Sequence, residues 1–556
     1  MVIGDPLIIE PGHYEGSYSI VPGQASQVLS TAGKVMTTDL VIGPGTCDPY
    51  EGEYMISPME TTQVLPVAGK SMTSDLIIAG YADESEYPPI IARTVEEFYD
   101  PHHIVTEIGE YAFFKCNNLF KVSLPVAKVI RPYAFQSCAA LRRMSMPEVI
   151  SVYESAFCQC SNLAAISFPK ATYIGNYAFS GCISLSEVFL GAAESIGVYA
   201  FYNCLSLKKA EMPEVLYIGG SAFLGCSALA EASFPKATYI ANLAFCNCQI
   251  SSIYAPRCSV IGDYAFSGCV NITSAEFSLV STIGTSAFGG CASLETAVFP
   301  TASMVSQYAF ADCTQLNTAS IPLARSIPSN TFLNCRSLQS IDCPYASYVG
   351  SSAFDGCTTL TRAHFESVSV IYTYAFKGCD HLSDVSFPSV VSVYSWAFSG
   401  CAALLSVELP LITSSLYSYA FAGCTGLTAI SVPNLQFVSA YAFFGCTSLE
   451  SIVLPVASYV GNYAFSGCTS LSMAELGIAT SIYQYAFINC VNLVSLYLMR
   501  PSLTILSNQN AFTSTPIGGY SDVAGRFGSI FVPSSLYATY IANAVWSVFS
   551  ERFVSV

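Results

Sequence analysis

One phrase dominates this chain. A Phe returns nineteen times, first at 113, 135 and 157 and last at 465, 487 and 512, preceded by Ala in every copy but one, where Thr331 replaces it. Most steps are 22 residues; the exceptions are 21 into Phe266, 23 into Phe421 and 25 into Phe512. Three residues after each of the first eighteen Phe stands a Cys, from Cys116 to Cys490. Three further on most units carry Leu (Leu119, Leu141, Leu163), with Ile272 in its place once. The short step is a deletion between Cys248 and Ile250, so even the irregularity keeps the frame. A unit of this length cannot bury its own apolar face, but stacked units can. The repeat therefore predicts a solenoid in which each coil advances by about 4.8 Å, the spacing between paired strands.

Within a unit, the stretch Leu-x-x-Val-x-Phe ends in an alternating pattern, which predicts a short strand with one face inward. A Pro follows that strand in most units, as at Pro125, Pro169 and Pro455. It has no N–H and should end the ladder. The Gly of Ile-Gly (Gly175, Gly262, Gly350, Gly461) is expected at a tight bend with unusual backbone angles.

Composition narrows the function classes. Of 556 residues, 52% are hydrophobic, and 38 acidic side chains face 21 basic ones for a formal charge of −17. Phosphate recognition needs a cationic footprint, so no nucleic-acid partner is expected. The mean hydropathy of +0.48 is high, yet no run of about 18 uninterrupted apolar residues occurs, the length a spanning helix needs. No membrane insertion is expected. The start, Met1 to Gly12, lacks a basic segment ahead of its short apolar stretch, which predicts synthesis in a cytoplasm without a secretory leader.

The signature Ala-Phe-x-x-Cys-x-x-Leu resembles the BspA-like leucine-rich-repeat family, over residues 104–512. The resemblance implies a mainly β solenoid, a leucine-rich-repeat superhelix of about 19 coils with strands on the concave face and short extended or 3₁₀ segments on the convex one. It does not imply a ligand, since fold alone does not fix function.

The flanks suggest further parts. Tyr14–Ile42 and Tyr50–Ile78 are copies offset by 36 residues and identical at seventeen of twenty-nine positions. They predict two small β modules, 1–46 and 47–81, which resemble modules of tail and minor structural proteins of phages infecting Gram-positive hosts. Residues 82–103 read as linker and N-terminal cap, ahead of the solenoid at 104–512. Residues 513–556 read as a β-α-β C-terminal cap: a strand at 528–533, a helix from Ser534 or Ser535 to about Phe549, and a closing strand at 552–556. Leu536, Tyr540, Ile541, Val545 and Trp546 should plug the last coil.

No catalytic constellation is visible. Of twenty-three Cys, eighteen share one register of the repeat and should form a buried ladder of small apolar groups rather than disulfides. Cys47, Cys158, Cys246, Cys258 and Cys343 stand outside it, and no His joins them at metal-ligand spacing. The five His form no His-Glu-x-x-His frame, and Gly69-Lys70-Ser71 lacks the upstream Gly of a phosphate loop. His102-His103 reads as a solvated pair. Neither cofactor nor metal is expected, and the chain is not expected to be an enzyme.

A binding surface is sought in the strand positions pointing away from the core. Against a background of Ser, two groups stand out: Glu187, Phe189, Glu211, Glu231, Tyr254 and Glu276, then Asp342, Arg362, His364 and Asp384. Aromatic faces among carboxylates suit a carbohydrate or a basic protein patch. The Tyr before Ala-Phe (Tyr177, Tyr264, Tyr463) reads as packing. Together these features predict a phage virion component, in the tail or in host recognition. It would bind a bacterial surface polysaccharide or protein through the solenoid and other virion proteins through the N-terminal modules. The alternative is a bacterial cell-surface or secreted adhesin binding host matrix protein or glycan.

Overall fold

The computed structural model describes residues 40–42, 62–64, 76–78, 96–100, 103, 105–519 and 527–556. They form a parallel β-solenoid of about 20 turns with few helices. It divides into two compact units, residues 1–272 and 273–556.

Each coil carries two short strands and a turn. In the first unit the Val-x-Phe strands include Lys121–Ser123, Arg143–Ser145, Ala165–Ser167, Glu187–Phe189, Lys209–Glu211, Glu231–Ser233 and Ser252–Tyr254. The second strand is the two-residue piece before the Ile-Gly step, as in Tyr173–Ile174, Ser195–Ile196, Tyr217–Ile218 and Tyr239–Ile240. Each pairs in parallel with its equivalent one coil on, Ile174 opposite Ile196 and Ile196 opposite Ile218. The second unit repeats the scheme, from Ser274–Glu276 to Ser495–Leu498 and from Thr282–Ile283 to Ile505–Leu506.

The core is a set of ladders along the coils. Phe113 stacks on Phe135 at 4.9 Å between centroids, and Phe135 on Phe157 at 5.0 Å. In the second unit Phe288 and Phe310 begin a run that ends with Phe487 on Phe512. Each buried Phe contributes roughly 1.5–3 kcal/mol from area alone. The ladder cysteines are buried too, and their thiols donate to the carbonyl oxygen of the Phe one coil back, as from Cys138 to Phe113 at 2.9 Å. Burial raises the thiols of Cys182, Cys335 and Cys379 well above the ordinary range, and that of Cys269 to about 12. All described cysteines carry free thiols, and Cys158 alone among them is half-buried. Cys47 lies outside the described residues.

The Ile-Gly glycines have a different purpose from the one expected. None of Gly175, Gly262, Gly350 and Gly461 has positive φ. A Cβ on Gly175 would stand 2.7 Å from the carbonyl carbon of Tyr153, and one on Gly350 2.4 Å from the Ser329 nitrogen. Close approach of neighbouring coils, not the bend angle, selects glycine there. The left-handed angles fall instead on the residue before Ala-Phe, Tyr177 at φ 55° and Tyr441 at 61°, and on the residue two after the Phe.

Most of the two N-terminal modules and of the segment 82–103 lies outside the described residues. The strand Leu40–Ile42 pairs in parallel with Leu76–Ile78, which pairs with Val105–Ile108. Thr62–Val64 pairs with Glu97–Tyr99, which pairs with Lys121–Ser123.

The C-terminal cap differs from expectation in its middle. The strands Ser529–Val532 and Phe553–Ser555 form and pair in parallel. Between them the expected continuous helix is broken into a 3₁₀ turn at Ser534–Leu536, a short α-helix at Tyr537–Ala542 and a second 3₁₀ segment at Trp546–Arg552. Asn543 breaks it, because its Oδ1 accepts the N–H groups of Val545 and Trp546 at 3.0 and 3.2 Å. Ser534 makes no helix cap; its hydroxyl donates to the carbonyl oxygen of Val556 at 3.0 Å. Tyr540 and Trp546 are buried as expected, whereas Leu536, Ile541 and Val545 are half-buried. Thr504 anchors the plug: its carbonyl accepts the Trp546 indole N–H at 2.7 Å, and its N–H donates to the Tyr540 hydroxyl at 3.0 Å.

Candidate functional site

The Val-x-Phe strands bury their middle side chain and expose the two flanking ones, as in Lys209-Ala210-Glu211 and Ser274-Ala275-Glu276. Period-2 geometry does this, and it places nine of the ten sequence-predicted residues in solvent. His364 is the exception, with 31% of its side chain exposed.

In the first unit Phe189 is 58% and Tyr254 59% exposed. Phe189 stands in register with Ser167, and Tyr254 with Ser233. Between them Lys209 holds Glu211 at 2.9 Å and Glu231 at 3.3 Å. The Glu211 and Glu231 carboxylates in turn raise the Lys209 ammonium above its ordinary value. Lys209 lies outside the set the sequence predicts; Glu211 shares its strand, but the contact with Glu231 depends on the register to the next coil. The bridge cancels part of the negative charge around the two aromatic faces. Exposed ion pairs of this sort contribute little to stability, because water and salt screen them.

In the second unit Glu276 stands in register with Val298, separated from the later group by the strands Thr296–Val298 and Thr318–Ser320. Asp342, Arg362, His364 and Asp384 do come together. Asp342 is in register with His364, and Arg362 with Asp384. Their closest contacts nevertheless run across the diagonals: the His364 Nε2 is 2.9 Å from Asp384 Oδ1, and the Arg362 Nη2 is 4.0 Å from Asp342 Oδ2. The result is an exposed patch of alternating charge.

The other strand row also carries aromatics that sequence reading passed over. Tyr173 and Tyr217 are 41% and 42% exposed, and Tyr217 stacks on Tyr239 at 5.3 Å. The signal was available, since these residues recur six before the repeat's Phe. The left-handed Tyr row packs on itself, as expected: Trp396 on Tyr419 at 4.0 Å and Tyr419 on Tyr441 at 4.6 Å. Among the described residues no cluster of three His, Cys, Asp or Glu could hold a metal ion, and no helix is long and apolar enough to cross a membrane.

Comparison with known proteins adds the family. No curated protein matches the chain. Among solved structures, a leucine-rich repeat protein from Bacteroides ovatus ATCC 8483 is 19% identical, covering 82% of this chain and 88% of its own, with a TM-score of 0.26. A leucine rich cell surface protein from Faecalibacterium prausnitzii A2-165 is 21% identical, covering 67% and 94%, with a TM-score of 0.32. The model of the BspA type leucine rich repeat region matches residues 95–194, 194–317, 303–428 and 391–517. With that span matched and the repeat ladders seen in three dimensions, the chain belongs to the BspA-type leucine-rich-repeat family.

Proposed function

We propose that this is a non-catalytic binding protein that grips a bacterial surface polysaccharide or protein through the outer face of its Val-x-Phe strands. The observation that carries this reading is the exposure of the aromatic Phe189 and Tyr254 on strands whose equivalent position is most often Ser, in seven of eighteen coils. Aromatic rings held among carboxylates on a regular scaffold offer a partner both apolar faces and hydrogen-bond acceptors.

The reading extends to a place of action: a phage virion, as a tail or host-recognition component, with the duplicated Tyr14 and Tyr50 modules contacting other virion proteins. The sequence of those modules supports it. Membership of the BspA-type family favours a second reading, a bacterial cell-surface adhesin for host matrix protein or glycan. An antibody against the protein, used on density-gradient fractions of the source culture, separates the two. Signal in a sedimenting, DNA-containing band supports the virion reading. Signal confined to the cell envelope overturns it in favour of the adhesin.

A further inference from the structure

On the Val-x-Phe face of the first unit, two opposite charges are left without partners, and a single alanine separates them. The other Lys and Arg side chains on these strands are taken: Lys121 is bridged to Glu97, Lys209 to Glu211 and Glu231, and Arg362 to Asp342. Arg143 is exposed, lies 6.0 Å from the Phe120 ring centroid, and forms no ion pair among the described residues. Arg142 beside it is exposed and unpaired in the same way. The positions equivalent to Arg143 on the next two coils are Ala165 and Glu187. Glu187 is exposed and has no cation, because Lys209 on the following coil is held by Glu211 and Glu231. The floor between the two charges is open, since Ala165 and Ser167 are small and exposed. Beside Glu187 stands Phe189, 58% exposed and stacked on no other described ring. Its ring leans over Gly191, where most units carry Pro; a Cβ on Gly191 would stand 3.6 Å from the Phe189 Cζ.

Resting on the reading of this face as a binding surface, we propose that it receives a bacterial polysaccharide in which an acidic sugar alternates with a neutral one. The carboxylate goes to Arg143, whose planar guanidinium matches it with two parallel N–H donors, and Arg142 adds a second cation beside it. The neutral sugar lies over Ala165 and Ser167 and sets its apolar ring face on Phe189. Glu187 accepts hydrogens from its hydroxyl or acetamide groups. The same carboxylate fixes the charge pattern, because a second acid there would meet like charge with no cation to offset it. Arg143 and Glu187 stand two coils apart, roughly 10 Å at the strand spacing, the length of one disaccharide in an extended chain. The formal charge of −17 does not forbid this ligand, since charges beyond about 8 Å are largely screened at physiological salt. Within that range the strands from Arg143–Ser145 to Glu187–Phe189, with the residue before each, carry Arg142 and Arg143 against Glu187.

The test is calorimetric titration of the full chain with three hexasaccharides: alternating glucuronate and N-acetylglucosamine, all-neutral chitohexaose, and all-acidic oligogalacturonate. The alternating oligomer should bind at least tenfold more tightly than either control. Arg143→Gln should lower its affinity tenfold or more, to the level of chitohexaose. Glu187→Gln should instead raise the affinity for oligogalacturonate at least threefold. Both side chains are exposed, so the melting temperature should not change in either variant. Equal binding of the three oligomers, no binding of the alternating one, an Arg143→Gln chain that binds like wild type, or no gain in Glu187→Gln would each overturn the proposal. Whole cells of the natural host separate this from failure of the broader reading. If cells bind the wild type and not a Phe189→Ala, Tyr254→Ala chain while the alternating oligomer is ignored, the polysaccharide class is wrong and the face stands. If neither cells nor oligomer bind, both fall.

Discussion

The thiol of Cys335 donates to the carbonyl oxygen of Phe310, one coil earlier, at 3.0 Å. The same link joins Cys357 to Phe332 and Cys379 to Phe354, so the cysteine ladder is a hydrogen-bonded row as well as a packed one. Alanine at 335 should remove that donor and leave a small void, lowering stability by about 1–2 kcal/mol. Urea unfolding of the full chain checks it, read as a fall in midpoint at unchanged slope.

The same burial sets a pH dependence. Thiols raised in the folded state, to about 12 at Cys269 and Cys343 from an ordinary 9.0, stay protonated where the unfolded chain loses protons. Between pH 9 and pH 12 the unfolded state binds fewer protons, so stability falls as pH rises. Below about pH 8 the thiols should leave stability flat. Melting temperature across pH 7–10.5 is the measurement. In thiol labelling at pH 8, Cys158 should react first among the described cysteines, though slowly, because burial raises it to about 11.

Trp546 closes the last coil. Replacement by Phe keeps most of the apolar volume but leaves the Thr504 carbonyl without its indole donor, costing about 1–3 kcal/mol. Replacement by Ala should cost about 3–5 kcal/mol. Hydrogen exchange in the strand Ser529–Val532 should accelerate in that order, with coils of the first unit unaffected.

Tyr441 sits at φ 61° and stacks on Tyr419 and Tyr463 at 4.6 and 4.8 Å. A β-branched residue is badly strained at such an angle. Tyr441→Val should therefore destabilise more than Tyr441→Asn, by about 1–2 kcal/mol between the two. An equal effect of both would show that stacking alone governs the position.

What the repeat made readable is whatever recurs in every coil: the strand ending Val-x-Phe, the buried Phe and Cys rows, and the outward flanks that hold Phe189 and Tyr254. What stayed hidden depends on neighbours one coil away or on a single local contact. Lys209 bridging Glu211 and Glu231, and the diagonal pairing of His364 with Asp384, need the register between coils. Gly175 looks like a bend residue until the backbone of Tyr153 is seen against it. The broken helix of the cap turns on one amide, Asn543, whose side chain outcompetes the helix for two N–H groups.

The central claim is that the outer strand face binds a bacterial surface. Fluorescently labelled full chain, wild type and the triple variant Phe189→Ala, Tyr254→Ala, His364→Ala, should be titrated against whole cells of the natural host at physiological salt. The account predicts at least a tenfold loss of affinity in the variant with unchanged melting temperature. Equal binding by the two proteins would contradict it.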